Sequence, residues 1–164
     1  MASIKKSVLI NAPINQVYDY VTNPSHWPIL FYPWSLKTEP YLQKPLSVEH
    51  PPVSEHTQVL GVKNKITWTP QINDAPHYFL VYGESPFLFG MRGYVRYDFE
   101  SKNQQTYFTR TLFYAFDHFL INLLFGHFIR PYFSYISYRG VKKAKQILDF
   151  HSLSEAAKKM RNAN

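Results

Sequence analysis

Apolar and polar residues alternate at the start of the chain. Ile4, Val8 and Ile10 fall on one side and Lys5 and Ser7 on the other, which predicts a strand over residues 4–11. Asn11-Ala12-Pro13 then turns into a helix whose apolar stripe is Val17, Tyr20 and Val21. Asn23-Pro24 ends that helix. Pro24-Ser25-His26-Trp27-Pro28 allows a turn or a very short second helix, with Pro28 denying it continuation. Residues 31–37 read as a second strand. Residues 39–55 carry Pro40, Pro45, Pro51 and Pro52 and show no clean period, as expected of a functional or mobile loop, a disordered insertion or an irregular edge strand.

From His56 onward the period is two. Residues 56–62 and 65–72 read as paired strands turning at Lys63-Asn64, and residues 76–84 as the next. Over 91–100, Val95, Tyr97 and Phe99 oppose Arg96, Asp98 and Glu100, so one face is dry and the other wet. Residues 101–104 form a hairpin turn, and residues 105–115 are a last strand dense in threonine and aromatics. The stretch 118–150 then becomes helical. It opens with an apolar run over 119–125, passes Pro131, and places Phe133, Ile136 or Ser137, Gly140, Ala144 and Ile147 on one face. Tyr138, Arg139, Lys142, Lys143 and Lys145 fall on the solvated side. A strand, two short helices, about six or seven antiparallel strands and a long helix make an α+β chain. A curved antiparallel sheet wrapped around a C-terminal helix satisfies that order best. Residues 1–150 form a single domain and 151–164 a polar, basic tail.

Composition narrows the function. At 164 residues there is room for one domain with a real core. The chain has 13 Tyr and 13 Phe, and tyrosine in such numbers suits a pocket wall as well as a crowded core. The absence of cysteine removes disulfides, thiolate ligands and thiol nucleophiles. With no signal-peptide core and no apolar run of membrane-spanning length, the expected location is cytoplasmic. The formal charge of +7 is concentrated late in the chain, where a basic helix could touch an anionic membrane or simply be solvated.

Chemical motifs are scarce. No histidine pair sits at metal-ligand spacing, and no phosphate loop or nucleophile elbow occurs, so no metal and no cofactor are expected. The basic residues do not form a groove with the aromatics, which argues against nucleic acid. Acid–base chemistry needs only one or two side chains over a substrate, and Arg110, Tyr114 and His77 are the weak catalytic candidates. Arg110 alternates with Phe108 and Leu112. In one phase it is a buried cation for a carboxylate head, and in the other it is surface. The ligand-binding candidates are Trp34, Trp68, Tyr82, Tyr97, Arg110, Tyr114, Phe128, Tyr132 and Phe133. Their flat apolar faces suit a sterol, an acyl chain or a polycyclic aromatic, or else fill a dry core.

Three stretches resemble the START-like superfamily, also called SRPBCC or the Bet v 1-like helix-grip fold. They are residues 8–27, opening Val8-Leu9-Ile10-Asn11-Ala12-Pro13 and closing Asn23-Pro24-Ser25-His26-Trp27; then Ile66-Thr67-Trp68; then residues 106–114 running into the long helix. Residues 39–55 depart from the compact family pattern. The resemblance implies a cavity between sheet and C-terminal helix that binds or transports a hydrophobic small molecule such as a lipid, sterol or polyketide-like chain. The alternative it implies is a polyketide cyclase/aromatase-type enzyme using cavity Arg, Tyr or His residues.

Overall fold

The alternation at the N-terminus becomes strand β1 (Ala2–Ile10), with Ile4 and Ile10 buried. In the structure, a computed structural model, residues 1–59, 61–86, 90–117, 121 and 128–162 are described. β1 runs antiparallel to β7 (Gln105–Ala115), with Ile4 opposite Leu112 and Val8 opposite Phe108. Between them in the chain lie β2 (Ser35–Glu39), β3 (Val53–Val59), β4 (Val62–Asp74), β5 (Tyr78–Ser85) and β6 (Met91–Lys102). The strands form a seven-stranded antiparallel sheet in the order β1-β7-β6-β5-β4-β3-β2. This is the α+β helix-grip architecture expected from the sequence, a curled sheet holding a long C-terminal helix.

Turn chemistry sets two registers. The β3–β4 hairpin turns at Gly61, whose φ of +86° suits glycine, and not at Lys63-Asn64 as expected. Val59 therefore pairs with Val62, and Asn64 points inward, accepting a hydrogen bond from Ser85 Oγ at 2.7 Å. The β6–β7 hairpin places Asn103 and Gln104 at φ 48° and 69°, the left-handed pair that matches strand twist.

The segment between β1 and β2 is helical. In α1 (Ile14–Thr22) the buried stripe is Val17, Tyr18 and Val21, so Tyr18 takes the place expected of Tyr20. A single 3-10 turn (Pro24–His26) leads into α2 (Trp27–Leu30). The expected very short second helix is present, but Pro28 sits in its first turn, where a missing N–H costs nothing, and does not end it. The expected strand over 31–37 starts only at Ser35. The Phe31 carbonyl accepts from the N–H groups of Trp34 at 2.8 Å and Ser35 at 3.1 Å, which turns this stretch before it can extend. Loop 40–52 is irregular but pinned. Leu46 is fully buried, its N–H donates to the Thr22 carbonyl at 3.1 Å, and Asn73 Nδ2 donates to its carbonyl at 3.4 Å.

The long helix α3 (Arg130–Asn162) begins with Pro131 in its first turn and continues through the stretch expected to be a tail. The apolar run expected over 119–125 lies, apart from Ile121, outside the described residues. Phe133, Ile136, Ser137, Gly140, Val141, Ala144 and Leu148 form the buried face of α3, at intervals of three and four. Tyr135, Tyr138, Arg139, Lys142 and Lys143 face solvent. Two clips join α3 to β1: Lys145 Nζ donates to the Leu9 carbonyl, and the Asn11 N–H donates to Asp149 Oδ1, each at 2.7 Å. No helix among the described residues is long and apolar enough to cross a membrane.

Candidate functional site

Below α2 and α3, the concave face of the sheet carries charge in an otherwise aromatic interior. The strand alternation of β3 turns Val53, Glu55, Thr57 and Val59 inward. Glu55 is therefore buried, at 2% exposure. Its Oε2 accepts a hydrogen bond of 2.7 Å from Trp68 Nε1–H. That contact depends on Gly83, which faces Trp68 across the β4–β5 pair. A Cβ at Gly83 would lie 2.3 Å from Trp68 Cζ3, so only glycine lets the indole lie flat over β5.

Arg110 projects inward from β7 and is 4% exposed. Its Nη1–H donates to Ser137 Oγ of α3 at 2.6 Å, and its guanidinium sits 4.8 Å over the Phe31 ring. Phe31 in turn packs on Gly140, where a Cβ would come within 2.0 Å of its Cε1. A second glycine thus admits the ring that supports the arginine. Tyr97 completes the floor, stacked on Phe79 with centroids 6.0 Å apart.

These side chains surround a small hollow. Trp27, Phe31 and Trp34 roof it, Glu55 and Trp68 form one wall, and Val81, Val95, Tyr97 and Arg110 form the floor and the other wall. Its volume is about 10 Å³, room for about one water molecule. Trp34 Nε1, Glu55 Oε1 and Arg110 Nε are buried here without a hydrogen-bond partner among the described residues. Glu55 and Arg110 form no ion pair within 4.0 Å. Burial pushes the Glu55 carboxyl above the ordinary carboxylate range; the Ser35 hydroxyl, the Trp68 N–H and the Arg110 charge pull it back only in part. Burial likewise pushes the Tyr97 phenol up, against the pull of Arg110.

The residues singled out in the sequence separate into groups. Trp34, Trp68, Tyr97 and Arg110 border the hollow. Phe133 packs edge-on against Trp34 at 6.5 Å and against Tyr114 at 5.0 Å, so both lie beside the hollow and not on it. Tyr132 is half-buried, and its hydroxyl donates to the Gln58 carbonyl at 3.1 Å. Phe128 is 81% exposed. Tyr82 is out of phase with Phe79 and Val81, so it lies on the outer face of the sheet, 5.2 Å from Tyr94. His77 is exposed in the β4–β5 turn, where it reaches no part of the hollow. Sequence reading missed Trp27, Phe31, Glu55, Val81 and Val95. Glu55 had a signal, because extending the β3 alternation back to Val53 puts it in phase with Val59. Phe31 had none, since its placement depends on the turn before β2. No cluster of three or more His, Asp or Glu able to hold a metal occurs among the described residues.

A sheet curled around a C-terminal helix, with a roofed interior of this kind, defines the START-like class. The chain belongs to the family described as polyketide cyclase/dehydrase and lipid transport, whose profile matches residues 1–148. Among solved structures it is similar to a conserved protein from Geobacillus kaustophilus, with TM-score 0.70 and 10% identity, covering 90% of this chain and 95% of that one. It is also similar to the Zhui aromatase/cyclase from a Streptomyces species, with TM-score 0.66 and 16% identity over 90% and 93% of the two chains. A START superfamily protein from Mycobacterium smegmatis aligns with TM-score 0.63 and 9% identity over 88% and 98%. At these identities the likeness is one of fold. No curated protein matches the sequence.

Proposed function

We propose that this protein binds a hydrophobic small molecule between the sheet and α3, as a carrier or sequestering protein. The observation that carries this reading is the unsatisfied polar trio of Trp34 Nε1, Glu55 Oε1 and Arg110 Nε at the end of an aromatic hollow. Buried polar atoms ordinarily find partners, and three of those left without one among the described residues border this void. The hollow has room for about one water, so a ligand enters by displacing the roof. Trp27, Phe31 and Trp34 all come from one segment, in which α2 is a single turn of four residues. Moving Trp34 with it breaks the 2.8 Å bond from the Gln58 N–H of β3 to the Trp34 carbonyl, at the end of the β2–β3 ladder.

A cyclase-type enzyme is the second reading. It draws on the family description and on a buried carboxyl with a raised pKa facing a fixed guanidinium, which is an acid–base arrangement. Native mass spectrometry of the protein purified from cells tests the binding reading, together with titration by an apolar fluorescent probe. The expected result is an adduct released on denaturation, and tighter probe uptake by Phe31→Ala, which removes part of the roof. A uniformly bare mass, with no probe uptake by either protein, would refute it.

A further inference from the structure

The three orphaned atoms restrict what the ligand's polar end can be. Trp34, Glu55 and Arg110 are 7%, 2% and 4% exposed, so none of them can turn to bulk water for a partner. The indole N–H and the guanidinium Nε–H can only donate. Glu55 Oε1 accepts when the carboxyl is ionised and can donate when it is protonated. Its other oxygen is already committed to Trp68 Nε1–H at 2.7 Å. With Glu55 ionised, the two donors and one acceptor face a pair of balanced charges. With Glu55 protonated, three donors border the hollow and Arg110 is left as an uncompensated cation.

Resting on the reading of the hollow as a binding site, we propose that the ligand is a hydrophobic carboxylic acid. It is bound as its carboxylate by Arg110 Nε–H, Trp34 Nε1–H and the protonated carboxyl of Glu55. The charges then close: one ligand anion, one guanidinium cation, one neutral carboxyl. A neutral alcohol or ketone leaves the Arg110 charge unbalanced, and a cationic head meets it directly. Where Glu55 begins ionised, binding draws one proton from solvent; where it begins protonated, none moves.

The surroundings are consistent with that accounting. Burial already favours the neutral form of Glu55. The other titratable groups bordering the hollow are Arg110 from β7 and Tyr97 from β6, and burial keeps the Tyr97 phenol protonated. From α3 the contact to Arg110 is Ser137, which does not titrate in this range. The existing space accepts a carboxylate oxygen in place of a water. The apolar body takes the volume that Trp27 and Phe31 give up when the roof moves.

The test uses the full chain and two matched probe pairs: pyrenebutyrate against pyrenebutanol, and dodecanoate against dodecanol. Each pair differs only in its head. Affinities are measured by fluorescence and by competition at about pH 6 and about pH 8. Each acid binds about 10- to 100-fold more tightly than its alcohol at the lower pH, the worth of hydrogen bonds to a charged group. That preference falls by up to about tenfold per pH unit above the titration of Glu55 in the free protein. Arg110→Met and Trp34→Phe each reduce the preference, with folding checked by circular dichroism. Glu55→Gln removes the titrating group, so whatever preference remains no longer changes between the two pH values. Equal binding of acid and alcohol overturns this inference and leaves the binding function standing. No binding of any probe overturns both, and identifies the hollow as the seat of a buried water only.

Discussion

Gly83→Ala is the sharpest probe of how the interior is assembled. The new Cβ would lie 2.3 Å from Trp68 Cζ3, 2.5 Å from Cε3 and 2.8 Å from Cη2. The atoms in conflict belong to a rigid ring that is itself 5% exposed, so relief requires the whole indole to shift. Overpacking of this kind costs about 1–3 kcal/mol. A shift also stretches the 2.7 Å bond from Trp68 Nε1 to Glu55, which weakens the hold on a buried carboxyl. Losing a hydrogen bond to a group of that kind is worth about 1.5–3 kcal/mol. The two effects share one displacement and do not simply add, so the expected loss is about 2–5 kcal/mol. For a chain of this size that lowers Tm by about 5–15 °C. Urea and thermal unfolding followed by tryptophan emission measure it. A double-mutant cycle with Trp68→Phe separates the causes: the penalty of Gly83→Ala shrinks once the ring is smaller. A Gly83→Ala protein as stable as the parent, with no coupling to position 68, refutes the packing of the Trp68 indole on Gly83.

Three further outcomes follow from other contacts. Gly140→Ala ordinarily stabilises a helix by up to about 1 kcal/mol, but here its Cβ would meet Phe31 Cε1 at 2.0 Å. A net loss of about 1–2 kcal/mol in urea melts is expected, and a gain would show that Phe31 does not pack on α3. The pH dependence of stability reports on Glu55. Its folded pKa is raised, so the native chain holds the proton more tightly than the unfolded one. The associated stability is present below the ordinary carboxylate range and is lost as pH rises through the folded pKa. Glu55→Gln removes that decline, and parallel pH profiles for the two proteins would contradict the burial of this carboxyl. Asn73 receives the Tyr18 hydroxyl and donates to the Leu46 carbonyl, so Asn73→Ala releases loop 40–52. It costs about 1–3 kcal/mol, and limited proteolysis then cuts within 40–52 sooner than in the parent. An unchanged cleavage pattern would mean that Leu46 is anchored by other means.

Much of the architecture could be read from periodicity. Val95, Tyr97 and Phe99 were placed inward by their alternation with Arg96, Asp98 and Glu100, and the structure has them there. The α3 stripe was legible too, because spacing of three and four leaves few other arrangements. Errors came where one local choice controls a boundary. The β3–β4 turn was expected three residues late because Gly61, one glycine among several plausible turn residues, decides it. Starting the strand at His56 in place of Val53 left Glu55 in the preceding loop, although it shares the phase of Thr57 and Val59.

The chain alone determined the sequence of strands and helices, the faces they bury and the family to which they belong. Those follow from repeats of two and of three or four residues, which are local properties. Which polar groups meet was decided only in three dimensions. Glu55, Arg110 and Ser137 lie on β3, β7 and α3, and nothing local relates them. Their meeting depends on the curl of the sheet and on two glycines that admit Trp68 and Phe31. Either phase of Arg110 was open in the sequence; only the packed sheet turned it inward, because the strand neighbours that set its side of the ladder are far away in the chain.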